Sequence, residues 1–106
     1  MTEGLDRLFA TIAAREGADP AQSYTAKLLA AGVEKCARKF GEEAIETVIA
    51  AIQKDKTELA KESADALYHL AVLWAASGLT PEDVYAVLKS RESMSGLEEK
   101  ASRPKS

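Results

Sequence analysis

The chain reads as an all-α domain, four to five helices packed as a bundle and completed by dimerisation. Three observations carry that expectation. Apolar residues recur at intervals of three and four along most of the sequence. No segment alternates with period two over the length of a strand. The breaks between apolar runs are short and carry helix-capping residues, the pattern of a bundle with brief connections.

Taken in order, Leu5, Leu8, Phe9, Ile12 and Ala13 share one face of a first helix over 4–16, which Gly17 ends. Gly17 to Gln22 contains Asp19-Pro20 and reads as a loop. Ser23 is placed to cap a short helix carrying Tyr24 to Ala31. The start of that helix, Ser23-Tyr24-Thr25-Ala26-Lys27, is polar for a core element. It fits either a capped surface turn or a hydroxyl and Lys27 aimed at an anion. After Gly32, the stripe Val33, Ala37, Phe40, Ala44, Val48 and Ile52 predicts one long helix ending near Lys54. Gly41 interrupts it, at a cost of about 1 kcal/mol relative to alanine, and would admit either a ligand or a close helix crossing.

Asp55-Lys56-Thr57-Glu58 has the spacing of a capping box, with Asp55 in the capping place. It starts a helix over Lys56 to Ser77 that packs through Leu59, Ala66, Leu70, Leu73 and Trp74. Gly78 stands where a left-handed C-terminal cap is wanted. Thr80-Pro81-Glu82-Asp83 combines a cap, a proline in the first turn and two acids, with Leu79 placed to staple onto Val84. The last helix carries Val84, Val87 and Leu88 and should fray near Ser95-Gly96. The domain is thus expected over 1–96, with 97–106 a polar tail that stays mobile unless a ligand orders it. Val72, Leu73 and Trp74 put apolar side chains nearly all round the fourth helix, which calls for a second burial surface. A homodimer, or a larger homo-oligomer, would supply it.

The bulk numbers exclude several classes. A chain of 106 residues suffices for one domain with a modest core. A formal net charge of -3 argues against a general nucleic-acid binder, though not against a local basic pocket. The longest apolar run, Leu70 to Ala76, is far too short to span a membrane. Thr2, Glu3 and Asp6 give the N-terminus no basic region before an apolar run, so no signal peptide is expected. Cys36 has no partner for an internal disulfide and falls on an apolar side, as a small buried hydrophobe would. A reducing, cytoplasmic setting follows.

The chemistry concentrates between Lys35 and Asp65. Glu46 lies about 40° round the helix from Glu42, and Glu43 about 100° from Glu42. Glu62 and Asp65 make a second pair on the next helix. If the two helices pack antiparallel, five carboxylates converge. Two carboxylates at about 5 Å repel by roughly 3 kcal/mol at an effective dielectric near 20, so something should neutralise them. An all-oxygen cluster suits a hard cation, Mg²⁺ being the usual one, and Mg²⁺ normally shares its shell with phosphate oxygens. The alternative is a solvated acidic face. Lys35 and Lys39, within about 60° of Glu42 on the same stripe, weigh against it.

These residues resemble a known family. The run Gly32-Val33-Glu34-Lys35-Cys36-Ala37-Arg38-Lys39-Phe40-Gly41-Glu42-Glu43-Ala44-Ile45-Glu46, continuing to Ala51, is similar to the signature of the phosphoribosyl-ATP pyrophosphatases. Glu62-Ser63-Ala64-Asp65-Ala66-Leu67-Tyr68-His69 resembles the family's second block. Ser23 to Leu28 and Ser95 to Arg103 resemble its flanks, so the likeness covers nearly the whole chain. An EExxE block followed by ExxD is shared with the all-α nucleotide pyrophosphatases related to MazG, and the flanks narrow it to the histidine-pathway enzyme. Ala66 departs from the family's more usual leucine, which concerns packing and no ligand.

The resemblance implies hydrolysis of phosphoribosyl-ATP to phosphoribosyl-AMP and pyrophosphate, the second step of histidine biosynthesis, with Mg²⁺ and a homodimer. It implies that Glu42, Glu43, Glu46, Glu62 and Asp65 hold Mg²⁺, with Glu43, or Glu42, taking the catalytic role. Lys27, Lys35 and Lys39 would contact phosphates as mobile point charges. Arg91, Lys100 and Arg103 would close over the substrate, or are ordinary surface cations. His69 would be a satisfied buried histidine or a group behind the metal ligands, and Tyr24 and Tyr68 would meet the nucleotide or pack the core.

Three rivals remain. A di-iron carboxylate bundle needs a Glu-x-x-His pair on each of two helices, and one histidine cannot supply it. A non-catalytic helical adaptor explains the helices but not lysines set among clustered acids. A housekeeping nucleoside-triphosphate pyrophosphatase of the same superfamily shares the central motifs.

Overall fold

The structure, a computed structural model, describes residues 3–92. These form five helices: α1 (Glu3–Ala14), α2 (Tyr24–Ala31), α3 (Val33–Ile52), α4 (Lys56–Ala76) and α5 (Pro81–Arg91). There is no strand among the described residues. The all-α expectation holds; the ends of α1 to α4 fall within two residues of the sequence reading, whereas α5 ends at Arg91, short of the fraying expected near Ser95-Gly96.

The caps fall where the residue types placed them. Ser23 Oγ accepts a hydrogen bond from the Ala26 backbone N–H at 3.1 Å. Asp55 Oδ1 accepts from the Glu58 N–H at 3.0 Å. Thr80 and Asp83 close a reciprocal capping box, each side chain accepting from the other's backbone, with Pro81 behind the cap. The box at Asp55 is only half formed, because the Glu58 side chain does not return to the cap. Gly32, at φ 98°, makes the joint between α2 and α3, and Gly78, at φ 74°, follows the end of α4. Both angles lie in the region that glycine reaches most cheaply.

The turn of residues 53–55 folds α4 back along α3, and this antiparallel hairpin is the most extensive helix pair in the molecule. Beside one half of it, α1 and α2 enclose the core: Ile12, Leu28, Cys36, Ala71 and Val72, flanked by Leu8, Leu29, Tyr68 and Leu73. The Cys36 thiol donates to the Leu28 carbonyl at 3.2 Å, tying α3 to α2. Burial pushes that thiol above its ordinary pKa, so it is an inert packing residue. Helix α5 packs on α1, where the Tyr85 hydroxyl donates to Asp6 at 2.9 Å.

Two packing expectations are corrected. The stripe assigned to α3 does not face the core: Val33, Val48 and Ile52 are 46%, 52% and 73% exposed. The buried positions of α3 are instead Cys36 and Ala50, on the side turned to α4. That side carries Glu43 midway, so the apolar periodicity tracks a different face. On α4, Val72 is fully buried and Trp74 is 9% exposed within the single chain, so these residues need no second surface. Uncovered apolar side chains occur singly elsewhere, as at Leu67 on α4 and Val87 and Leu88 on α5, but on α3 Ile45, Val48, Ile49 and Ile52 form one face by their spacing.

Candidate active site

The site occupies the middle of the α3–α4 hairpin. On α4, Glu58, Glu62, Asp65 and His69 follow each other at intervals of four, three and four, so they share one face. On α3 the matching face presents Lys39 and Glu43. Carboxylate oxygens of Glu43, Glu62 and Asp65 all lie within 4.8 Å of one another. Glu43 and Glu62 are half-buried. Burial, and then the charges of Glu43, Glu58, Asp65 and Glu46, push the Glu62 carboxyl above the usual carboxylate range.

Of the five acids singled out from the sequence, the structure therefore brings three together. Glu46 is exposed and stands beside the group, near enough to act on Glu62. Glu42 is turned aside, its carboxylate accepting from Lys39 Nζ at 3.2 Å. That pair runs from an earlier lysine to a later acid and leaves Glu42 55% exposed, so its net value is small. The bond to Glu42, together with Tyr24, holds the Lys39 ammonium above its ordinary pKa.

The three lysines meet as well. Lys27 from α2 and Lys35 and Lys39 from α3 line a cavity of about 220 Å³, with Tyr24, Leu28 and Ala31 as its other walls. Tyr24 stands edge-on to His69, ring centroids 6.2 Å apart, and Tyr68 does the same at 5.0 Å. The hydroxyls of Thr25 and Tyr68 share a hydrogen bond across α2 and α4. His69 thus sits between the lysine cavity and the acidic group. It is 6% exposed, and its Nδ1 has no hydrogen-bond partner among the described residues. Burial lowers its pKa, partly opposed by Glu43, so the ring is neutral near pH 7. The histidine is buried as expected, but its Nδ1 is not satisfied among the described residues.

Arg91 closes the last turn of α5, a helix whose main packing partner is α1. Lys100, Arg103 and the tail expected over 97–106 lie outside the described residues. A Cβ at Gly41 would meet no atom within 4 Å, so no helix among the described residues crosses closely there. The residue that sequence reasoning missed is Glu58. Its Oε2 is buried without a hydrogen-bond partner among the described residues, and it is one of the charges acting on Glu62. The spacing from Glu58 to Glu62 and Asp65 was available, but its place in the capping signal absorbed it.

Among the described residues, no helix is long and apolar enough to cross a membrane. Residues 5–92 match the family model for phosphoribosyl-ATP pyrophosphohydrolase. A phosphoribosyl-ATP pyrophosphatase of Parvibaculum lavamentivorans is 64% identical over 99 residues, 93% of this chain and 91% of the relative. Proteins of the same name from Paracoccus denitrificans and Azospirillum brasilense are 60% and 59% identical, covering 94% and 93% of this chain and 93% and 89% of their own lengths.

Proposed function

The chain belongs to the phosphoribosyl-ATP pyrophosphohydrolase family, and from that premise we propose that it hydrolyses phosphoribosyl-ATP to phosphoribosyl-AMP and pyrophosphate in histidine biosynthesis. The observation that carries this reading is the close group of Glu43, Glu62 and Asp65 beside a lysine-lined cavity. Three carboxylates drawn within 4.8 Å and partly desolvated are a costly arrangement unless a cation offsets them.

The donor set fits Mg²⁺, being all oxygen and charged. Glu43, Glu62 and Asp65 would hold it, with Glu42 and Glu46 flanking. When bound, Mg²⁺ supplies positive charge against the anhydride oxygens. The protein's own part is to position the triphosphate and a water and to take up a proton. Water adds across the α–β phosphoanhydride, and the P–O bond to the pyrophosphate leaving group breaks. Glu43 is our choice for the carboxylate that accepts the water's proton, because it belongs to the group and its neighbour Glu42 is engaged by Lys39. Lys27, Lys35 and Lys39 bind phosphate, and Arg91, Lys100 and Arg103 are held to act from the chain's C-terminal part. The enzyme works as a cytoplasmic homodimer joined through the apolar face of α3.

The test is pyrophosphate release from phosphoribosyl-ATP, beside ATP and dCTP. Phosphoribosyl-ATP should be preferred by a large factor in kcat/KM; equal rates would assign the chain to the housekeeping pyrophosphatases. Asp65→Asn should abolish turnover while leaving the metal-free fold as stable or more so, since it removes repulsion. Mg²⁺ should raise the Tm of the native protein and not of Asp65→Asn. Near-normal turnover by that variant would remove the acidic group from the mechanism.

A further inference from the structure

We propose that the cavity walled by Tyr24, Lys27, Lys35 and Lys39 seats the single phosphate at the phosphoribosyl end of the substrate, and so is the feature that tells phosphoribosyl-ATP from ATP. The inference rests on the activity proposed above and goes beyond it by assigning the substrate's two anionic ends to two places.

Phosphoribosyl-ATP has a triphosphate at one end and one phosphate on the added ribose at the other, with two sugars and the adenine between. The protein offers two environments of opposite sign. The group of Glu43, Glu62 and Asp65 repels a bare phosphate and accepts a polyphosphate only with a cation between them. The lysine cavity has no carboxylate among its lining residues. Among the described residues neither Lys27 nor Lys35 pairs with an acid, whereas Lys39 is already engaged by Glu42. Two exposed lysines therefore line a concave space with no acid among the described residues to offset their charge.

Size and spacing agree with that assignment. At about 220 Å³ the cavity is smaller than the usual pocket for a whole drug-sized ligand, so it suits one phosphorylated sugar. Lys35, Lys39 and Glu43 follow at intervals of four along α3, which puts Lys35 two turns, about 12 Å, from Glu43. A ribose, an adenine and a second ribose span a gap of that order. Tyr24, 52% exposed and held edge-on by His69, gives the cavity a flat apolar wall for a sugar. Lysines contribute such binding as point charges that act in ground and transition state alike, so their removal should weaken binding more than chemistry.

The experiment uses two competitors of phosphoribosyl-ATP hydrolysis: ribose 5-phosphate for the lysine cavity, and tripolyphosphate with Mg²⁺ for the acidic group. Against the native enzyme both should compete. In the double variant Lys27→Ala/Lys35→Ala, the inhibition constant of ribose 5-phosphate should rise about tenfold or more, while that of tripolyphosphate moves less than about twofold. The KM for phosphoribosyl-ATP should rise about tenfold with kcat little changed. Lys27→Arg/Lys35→Arg should recover most of the loss, which separates charge from packing. Unchanged ribose 5-phosphate inhibition in the alanine variant would overturn the assignment. So would a loss falling on tripolyphosphate and kcat, which would move the lysines to the triphosphate. Failure of the activity itself reads differently: the native protein would not turn over phosphoribosyl-ATP, while calorimetric titration with ribose 5-phosphate would still report on the cavity.

Discussion

Glu62 is the carboxylate whose environment is most at odds with ionisation. Burial comes first, and four acidic neighbours add to it. Its folded pKa is raised above the unfolded value, so its contribution to stability is fully present below the unfolded pKa and is lost as pH rises through the folded one. Near pH 7 the ionised side chain therefore weighs against the fold when no cation is bound. In chelator, Glu62→Gln should raise the Tm near neutral pH, and the gain should fade as the pH falls through the folded pKa and the native side chain takes up its proton. Asp83 behaves in the opposite sense. Hydrogen bonds from the Thr80 backbone and hydroxyl hold its carboxyl below the usual range, so its stabilisation is present above the unfolded pKa and is lost as pH falls through the folded one. Asp83→Asn should then lower the Tm at neutral pH and matter progressively less in acid. Melts of the two variants across that pH range check both signs; a gain for Glu62→Gln that grows in acid would contradict the repulsion argued for the site. At this scale spacing pointed to five acids, Glu42, Glu43, Glu46, Glu62 and Asp65, and only the structure separates the three that gather from the two that flank them. The sequence hid Glu58, because a glutamate three residues after a cap has a local explanation that satisfies the eye before the long-range one is considered.

The helices were legible mainly at their ends. Ser23, Asp55 and Thr80 each accept the backbone hydrogen bond their residue type and position foretell, because capping depends on a few neighbouring atoms and on nothing distant. Thr80→Ala should accordingly cost about 1 kcal/mol, a fall in Tm of roughly 4–8 °C for a domain of this size, measurable by calorimetry. A change within error would mean that Pro81 and Asp83 hold the helix start without the hydroxyl. The faces of the helices were less legible. On α3 the stripe from Val33 to Ile52 has the right period, yet the side turned to α4 is the one carrying Cys36, Glu43 and Ala50. Periodicity reports that an apolar face exists and not what lies opposite it. A helix that must turn acids toward its neighbour and still keep an apolar stripe carries two functional faces, and only the packed structure separates them. The three lysines were grouped by the family resemblance and not by periodicity, because Lys27 and Lys35 belong to different helices, brought together by the joint at Gly32.

At the scale of the whole molecule the core is thin. Ile12, Leu28, Val72 and Trp74 are its only large buried hydrophobic side chains among the described residues, the others being alanines and Cys36. Meanwhile Ile45, Val48, Ile49 and Ile52 leave 60%, 52%, 42% and 73% of their surfaces in water along one face of α3. Scattered exposed hydrophobics are ordinary, but four on one helical face, beyond the acidic group, form a contiguous patch. A second copy of the same face would bury it in an isologous contact and would press on α3 at the point where Glu43 must be held. The consequence is a link between association and the site. Ile49→Asp/Ile52→Asp should sediment as a monomer and should lose the dependence of Tm on protein concentration that a dimer shows. It should also bind Mg²⁺ more weakly, read as a smaller rise in Tm on adding the ion, because α3 is then braced on one side only. Sedimentation of the native protein as a monomer, at concentrations where the enzyme is fully active, would separate the apolar face from the chemistry and leave the hairpin alone responsible for positioning the acids.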